Sequence, residues 1–202
     1  MKKRKKKRDK DFNFKQEYKE SWDYLKKVKN YVYIIFGIFF FFALIGFFIP
    51  IPDYLSNQIL QIISELLEKT KDMTQGQLTN FIFFNNLKTS FLGMIFGVFF
   101  GIFSIVIAIA NGYLVGFVAS IAVQIEGVSI LWKLLPHGIF ELPAVFISLG
   151  LGLKLSMFVF QKNKKKALYE YFWNSLRVFL FIVIPLLIIA AIIEGALIAI
   201  VN

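Results

Sequence analysis

The sequence predicts an all-α, polytopic membrane helix bundle with about five transmembrane helices plus amphipathic helices. Of its 202 residues, 57% are hydrophobic and 25 are Phe, whereas soluble domains are about 45–50% apolar. Several apolar stretches approach the roughly 20 residues that cross a bilayer. Charge is also uneven, because residues 1–29 hold thirteen Lys and Arg against five Asp and Glu, which is +8 of the net +10.

The N-terminal segment, residues 1–30, is predicted to be cytoplasmic under the positive-inside rule. Its basic run has no interleaved aromatic residues, so we expect binding to anionic lipid headgroups and not to nucleic acid. The first span, 31–49, ends before two prolines, Pro50 and Pro52. It is predicted to be a retained anchor because no cleavage pattern follows it. The expected lipid-binding residues are Lys2, Lys3, Arg4, Lys5, Lys6, Lys7 and Arg8.

An external amphipathic helix is predicted over residues 53–72. Charged residues, among them Glu65, Glu68 and Lys69, occupy one side of this helix. Such a helix packs on its own protein, lies on the membrane or docks a partner, and the sequence leaves these alternatives open. The apolar residues that recur at helical spacing are Leu55, Ile59, Ile62, Ile63, Leu66 and Leu67.

The uncharged stretch 91–123 is too long for one straight span. As a helix it would measure about 50 Å, against a hydrocarbon core of roughly 30 Å. We interpret Asn111 and Gly112 as a turn, which predicts spans at 91–110 and 113–125, followed by spans at 139–160 and 178–200. The resulting membrane domain, 31–202, has five spans. With Lys-rich residues 162–166 on the cytoplasmic side, the C-terminus is predicted to be extracytoplasmic.

Small residues recur at spacings that allow helices to approach closely in lipid. Gly93, Gly97 and Gly101 repeat every four residues, and Gly150 and Gly152 lie in the predicted fourth span. These glycines are predicted to pack helices either within one chain or across a homodimer.

A polar cluster is predicted in the outer half of the membrane from Asn85, Asn86, His137, Glu141 and Glu194. An ionisable residue inside a span is costly and requires a partner. The main hypothesis is a hydrogen-bonded cluster that holds helix ends together; a proton or ion pathway, a metal site and a hydrolase site are alternatives. The chain has no cysteine, no zinc-protease motif and no nucleophile motif, so no catalytic residue, metal or cofactor is expected.

Four motifs resemble the stage II sporulation protein M family of multi-pass membrane proteins. They are FFNNLKTSFLGMIFGVFFG, NGYLVG, LLPHGIFELPAVFISLGLGLKL and AAIIEGAL, in this order from residue 83 to residue 197. The resemblance implies that Asn85, Asn86, His137, Gly138, Glu141, Pro143 and Glu194 are family motif positions. It also implies a scaffold, since the founding member works with two peptidoglycan-degrading membrane partners during engulfment.

The sequence therefore predicts a non-enzymatic, multi-pass cell-membrane protein that scaffolds or anchors a membrane or envelope complex. Its expected partners are the lipid bilayer with its anionic headgroups and other membrane proteins, with a homo-oligomer as a further expectation. The alternative is a small transporter or ion-conducting subunit that uses the outer His and Glu residues.

Overall fold

The structure, a computed structural model, describes residues 13–49 and 52–201; of residues 53, 133–137, 195 and 197–201 it describes the backbone alone. The basic run 2–8, with its expected lipid contacts, lies outside the described residues. All elements described are helical, which confirms the predicted all-α class. They are α1 (Phe14–Phe48), α2 (Asp53–Thr70), α3 (Gln75–Phe96), α4 (Ile102–Glu126), α5 (Ile130–Ser156), a 3₁₀ turn (Met157–Phe160), α6 (Lys164–Val178), a π turn (Phe179–Val183) and α7 (Ile184–Val201).

Four of the described helical stretches are long and apolar enough to cross a membrane: Phe14–Phe48, Ile102–Glu126, Gly138–Phe160 and Lys164–Glu194. The first is much longer than the predicted span 31–49. Its helix begins where the Asn13 side chain accepts a hydrogen bond from the Gln16 backbone N–H, at 3.3 Å. It ends at Phe48 because Ile49, which precedes Pro50, is extended.

The predicted break at Asn111 and Gly112 is wrong, because α4 continues through both residues. The Asn111 side-chain amide donates to the Ile107 carbonyl at 2.8 Å, which satisfies it inside the helix. The chain turns instead between α3 and α4, where Phe100 and Gly101 have φ of 56° and 73°. The predicted span 91–110 is therefore divided between two helices.

The α3 helix begins at Gln75, well before the predicted span, because Thr74 and Gln77 form a capping box. The Thr74 hydroxyl accepts from the Gln77 N–H at 3.4 Å, and the Thr74 N–H donates to Gln77 Oε1 at 2.9 Å. This reciprocal pairing satisfies donors that a helix start otherwise leaves unbonded.

The α5 helix lies at the centre of the bundle, where it packs against α1, α3, α4 and α7. Leu149 and Leu151 are fully buried on it. Phe39 of α1 meets Phe146 of α5 with ring centroids 5.0 Å apart. By contrast, none of the α2 side chains that the structure describes belongs to either hydrophobic core.

The α1 and α4 helices run in the same direction and touch through glycines. A Cβ at Gly112 would overlap the Phe39 carbonyl, and one at Gly116 would overlap the Ala43 carbonyl. Contacts of backbone on backbone at this spacing are typical of membrane helices that pack through small residues. Gly112 therefore serves helix packing and not a turn.

Candidate functional site: the outer polar cluster and the α3–α5 seam

The outer polar cluster joins three helices through Asn86 of α3, Glu141 of α5 and Glu194 of α7. The Asn86 side chain hydrogen-bonds the Glu141 carboxyl, and Glu194 is close enough to Glu141 to interact electrostatically. All three residues are partly buried. The contact between α3 and α5 is therefore polar at this end of the bundle, with a second carboxyl from α7 beside it.

The described contacts of the cluster do not include the other two residues predicted for it, Asn85 and His137. Asn85 is exposed and lies on a different surface, in a cavity shared with Gln77 and Lys88. His137 belongs to α5 by its backbone, but its side chain lies outside the described ones. Among the described residues, no group of three or more His, Cys, Asp and Glu is arranged to hold a metal ion.

Below the cluster, a seam of small residues closes the interface between α3 and α5; we call it the α3–α5 seam. The Ser148 hydroxyl donates to the Ser90 carbonyl at 2.6 Å, and the Ser104 hydroxyl of α4 donates to the Gly93 carbonyl at 3.0 Å. These serines are fully buried. The seam is therefore held by hydrogen bonds between helices as well as by close packing.

The predicted packing glycines lie in or beside this seam. A Cβ at Gly97 would overlap the backbone of Gly152. A Cβ at Gly93 would lie 2.5 Å from Leu149, and one at Gly101 would lie 2.5 Å from Leu153. A Cβ at Gly150 would lie 2.9 Å from Val32 of α1. The Gly93, Gly97 and Gly101 face is thus occupied within the chain, not exposed for a second copy.

At the opposite end of the bundle, basic side chains are held by aromatic and acidic residues. Lys154 lies with Nζ 4.1 Å from the Tyr171 ring centroid and 5.3 Å from that of Tyr31. Cation–π contacts of this kind stabilise a partly buried ammonium group. Lys154 therefore links α5 to both α1 and α6.

Arg177 of α6 forms an ion cluster that the sequence analysis missed. Its Nε donates to Glu17, and its Nη1 lies 3.0 Å from the Glu20 carboxylate. Glu17 and Glu20 lie three residues apart on α1 and so share one face of the helix, and their contacts with Arg177 show that this face meets α6. In the sequence, the only feature that indicates an ion pair here is the presence of acidic residues within the basic N-terminal segment.

The arrangement defines a polytopic α-helical membrane protein with a polar cluster at one end. The family model described as stage II sporulation protein M matches residues 35–197. The chain belongs to this family, as its four motifs indicate. A relative, the uncharacterized protein MJ0793 of Methanocaldococcus jannaschii, is 35% identical over 119 residues, which cover 56% of this chain and 66% of the relative. No solved structure matches the chain.

Proposed function

We propose that this membrane protein is a non-enzymatic scaffold or anchor for a complex of the membrane or cell envelope. The observation that carries the proposal is the closed α3–α5 seam. A conducting pathway that started at the outer polar cluster would have to continue inward between helices. At Gly97 and Gly152 the backbones touch, and the adjacent Met94 is fully buried.

The chemistry of the polar cluster also supports a structural role. A carboxyl that is hydrogen-bonded to an amide from another helix holds two helices together, since an unpartnered polar group is costly in lipid. The described cluster offers one such amide, that of Asn86, and two carboxyls. It contains no serine, cysteine or threonine nucleophile beside a base, which is the arrangement that nucleophilic catalysis uses.

We propose further that the N-terminus is cytoplasmic and the C-terminus extracytoplasmic. The contact of Lys154 with Tyr31 brings the end of α5 to the start of the apolar part of α1. The Lys-rich residues 162–166 and the described part of the N-terminal segment, residues 13–30, therefore belong to one end of the bundle. The positive-inside rule assigns such an end to the cytoplasm.

The test is affinity purification of the tagged full chain from its native membranes in mild detergent, with co-purifying proteins quantified by mass spectrometry. We expect membrane or envelope proteins to co-purify with the wild type. A variant with Glu141→Ala and Glu194→Gln, compared at equal abundance, reports whether the polar cluster supports that assembly.

Flux measurements on the purified chain in liposomes complete the test. The scaffold proposal predicts ion and proton leakage equal to that of protein-free liposomes. If no partner co-purifies, and if the chain raises leakage in a way that Glu141→Ala abolishes, the proposal is wrong and the conducting alternative takes its place.

A further inference from the structure

The α3 helix lies at membrane depth although its own composition is too polar to identify it as a span. Ser90 of α3 accepts a hydrogen bond from Ser148, near the middle of the candidate span Gly138–Phe160. Phe91 meets Phe179 of the other neighbouring span with ring centroids 5.4 Å apart. Lys88 comes two residues before Ser90, so it is displaced by only about 3 Å along the helix.

The outward face of α3 exposes polar side chains from the start of the helix down to this depth. Gln77, Asn80, Asn85 and Lys88 are all exposed and recur at helical spacing. Lys88 is the only charged residue between Asp72 and Glu126. Among the described residues, no acidic group is within ion-pair distance of it.

Three cavities that share lining residues follow this face, and we call them together the furrow. The first and the third are bounded on their other side by the α6–α7 stretch, whereas the second is lined by α3 and Met73 alone. At one end is a cavity of about 680 Å³, with Gln77 and Asn80 of α3 on one side and Ile188 and Ile192 of α7 on the other. It shares Gln77 and Asn80 with a cavity of about 450 Å³. The second cavity in turn shares Phe84 and Lys88 with a third of about 340 Å³, which reaches Leu180.

The dimensions and chemistry of the furrow fit one helix. From Gln77 to Phe91 it follows about 20 Å of α3, at 1.5 Å per residue, against a hydrocarbon core of roughly 30 Å. A lysine at the centre of a membrane helix costs at least about 2.5–3.5 kcal/mol. An acidic side chain on a bound helix would provide Lys88 with a hydrogen-bonded counter-charge and would cover the amide side chains.

We propose that the furrow binds a transmembrane helix of a different membrane protein, and that an Asp or Glu on that helix pairs with Lys88. The proposal rests on the scaffold function and names the chemistry of its partner. A second copy of the chain fits less well. Within the apolar stretches 31–49, 91–125, 139–160 and 178–200 the sequence has only two acidic residues, Glu141 and Glu194, and both belong to the outer polar cluster.

Photocrosslinking in native membranes tests the furrow. The photoreactive amino acid p-benzoylphenylalanine is placed at Phe84, in the furrow, or at Phe41 on α1 as the matched control. The two side chains are 57% and 60% exposed, respectively. We expect a protein adduct at position 84 and none at position 41.

The charge on Lys88 is tested in the same experiment, at equal abundance of each variant. Lys88→Met should reduce the adduct about three- to tenfold, the equivalent of one interhelical polar contact, whereas Lys88→Arg should retain it. Three outcomes would each overturn the proposal. They are an adduct whose yield does not change in Lys88→Met, an adduct with a second copy of the chain, and adducts with lipid alone.

The affinity purification described above separates failure of the furrow from failure of the scaffold function. If partners co-purify and position 84 gives no protein adduct, the furrow proposal is wrong and the scaffold proposal stands. If no partner co-purifies and no adduct forms, both are wrong.

Discussion

Individual glycines and serines decide how closely the central helices approach. Gly97 and Gly152 bring α3 and α5 together at backbone distance, and Ser148 adds a hydrogen bond in the same interface. Since lipid is as apolar as a leucine side chain, close packing and polar contacts contribute most of the association between membrane helices. Stability at this scale therefore depends on small side chains.

Replacing Gly97 with Ala should destabilise the protein by about 1–3 kcal/mol, the usual cost of overpacking. The new methyl group would meet the Gly152 backbone, which cannot rotate away as a side chain can. Unfolding of the purified protein in detergent, followed by circular dichroism during titration with a denaturing detergent, measures the change.

The control is Gly37→Ala on α1, where an added Cβ has no atom within 4 Å. We expect it to stabilise the helix by about 0.5–1 kcal/mol, because Ala is the better helix former. Equal effects of the two substitutions would contradict the close approach of α3 and α5.

At the scale of elements, the long α1 helix combines an apolar span with a polar N-terminal half. The polar half contacts α6 through Arg177, and its first aromatic residue, Phe14, meets Phe181 at 5.3 Å between ring centroids. The junction of α6 and α7 widens into a π turn, where Ile184 N–H bonds to the Phe179 carbonyl. Pro185 follows, and its ring could not fit a regular helical turn.

Removing the cation with Arg177→Met should loosen the N-terminal half of α1 and leave the spans unchanged. Two carboxylates would remain next to each other without their partner. A contribution of about 1 kcal/mol for partly exposed ion pairs corresponds to roughly fivefold faster local opening. Hydrogen–deuterium exchange over residues 14–28 measures it.

Lys166→Met is the matched control, since it also removes a cation from α6. Its ion pair with Glu170 is largely exposed, with 72% and 55% of the two side chains accessible. Exchange over residues 14–28 should not change in this variant. A similar increase in both variants would show that net charge, not the Arg177 contact, governs the opening.

The sequence predicts a helix well where the length of an apolar stretch determines its bounds. It predicts a helix poorly where capping residues or packing between helices determine them. The predicted spans 31–49, 139–160 and 178–200 fall largely on helical stretches: α1, α5 with the 3₁₀ turn after it, and the π turn with α7. These stretches are apolar, and nothing in them competes with helix formation. The predicted span 91–110 begins well after the start of α3, because Thr74 and Gln77 cap the helix before its apolar part. The Asn111–Gly112 pair was interpreted as a turn, although Gly112 and Gly116 are spaced for packing.

For the whole molecule, the predicted polar cluster depends on contacts between helices that are distant in sequence. The structure brings Asn86, Glu141 and Glu194 together, as their common predicted depth suggested. It places Asn85 on the outward face, because adjacent residues on a helix point about 100° apart. The depth of a residue in the membrane can be predicted from the topology alone. The direction of its side chain depends also on how α3 is rotated about its axis, and the weak hydrophobic periodicity of α3 does not predict that rotation.

The proposed orientation predicts which surfaces a membrane-impermeant maleimide reaches. The chain has no cysteine, so Ser64→Cys on α2 and Lys165→Cys on α6 each introduce one thiol at an exposed position. Ser64→Cys should react in intact cells, whereas Lys165→Cys should react only after permeabilisation. The unmodified chain is the control, and the reverse pattern would invert the topology.

The polar character of α3 also bears on biosynthesis. Asn85, Asn86 and Lys88 make it a poor substrate for independent insertion by the translocon. The helices beside it, α5 and α7, are synthesised later than α3 itself. Stable integration of α3 must therefore wait until those helices have entered the bilayer, so a chain truncated before α5 would expose α3 to membrane quality control.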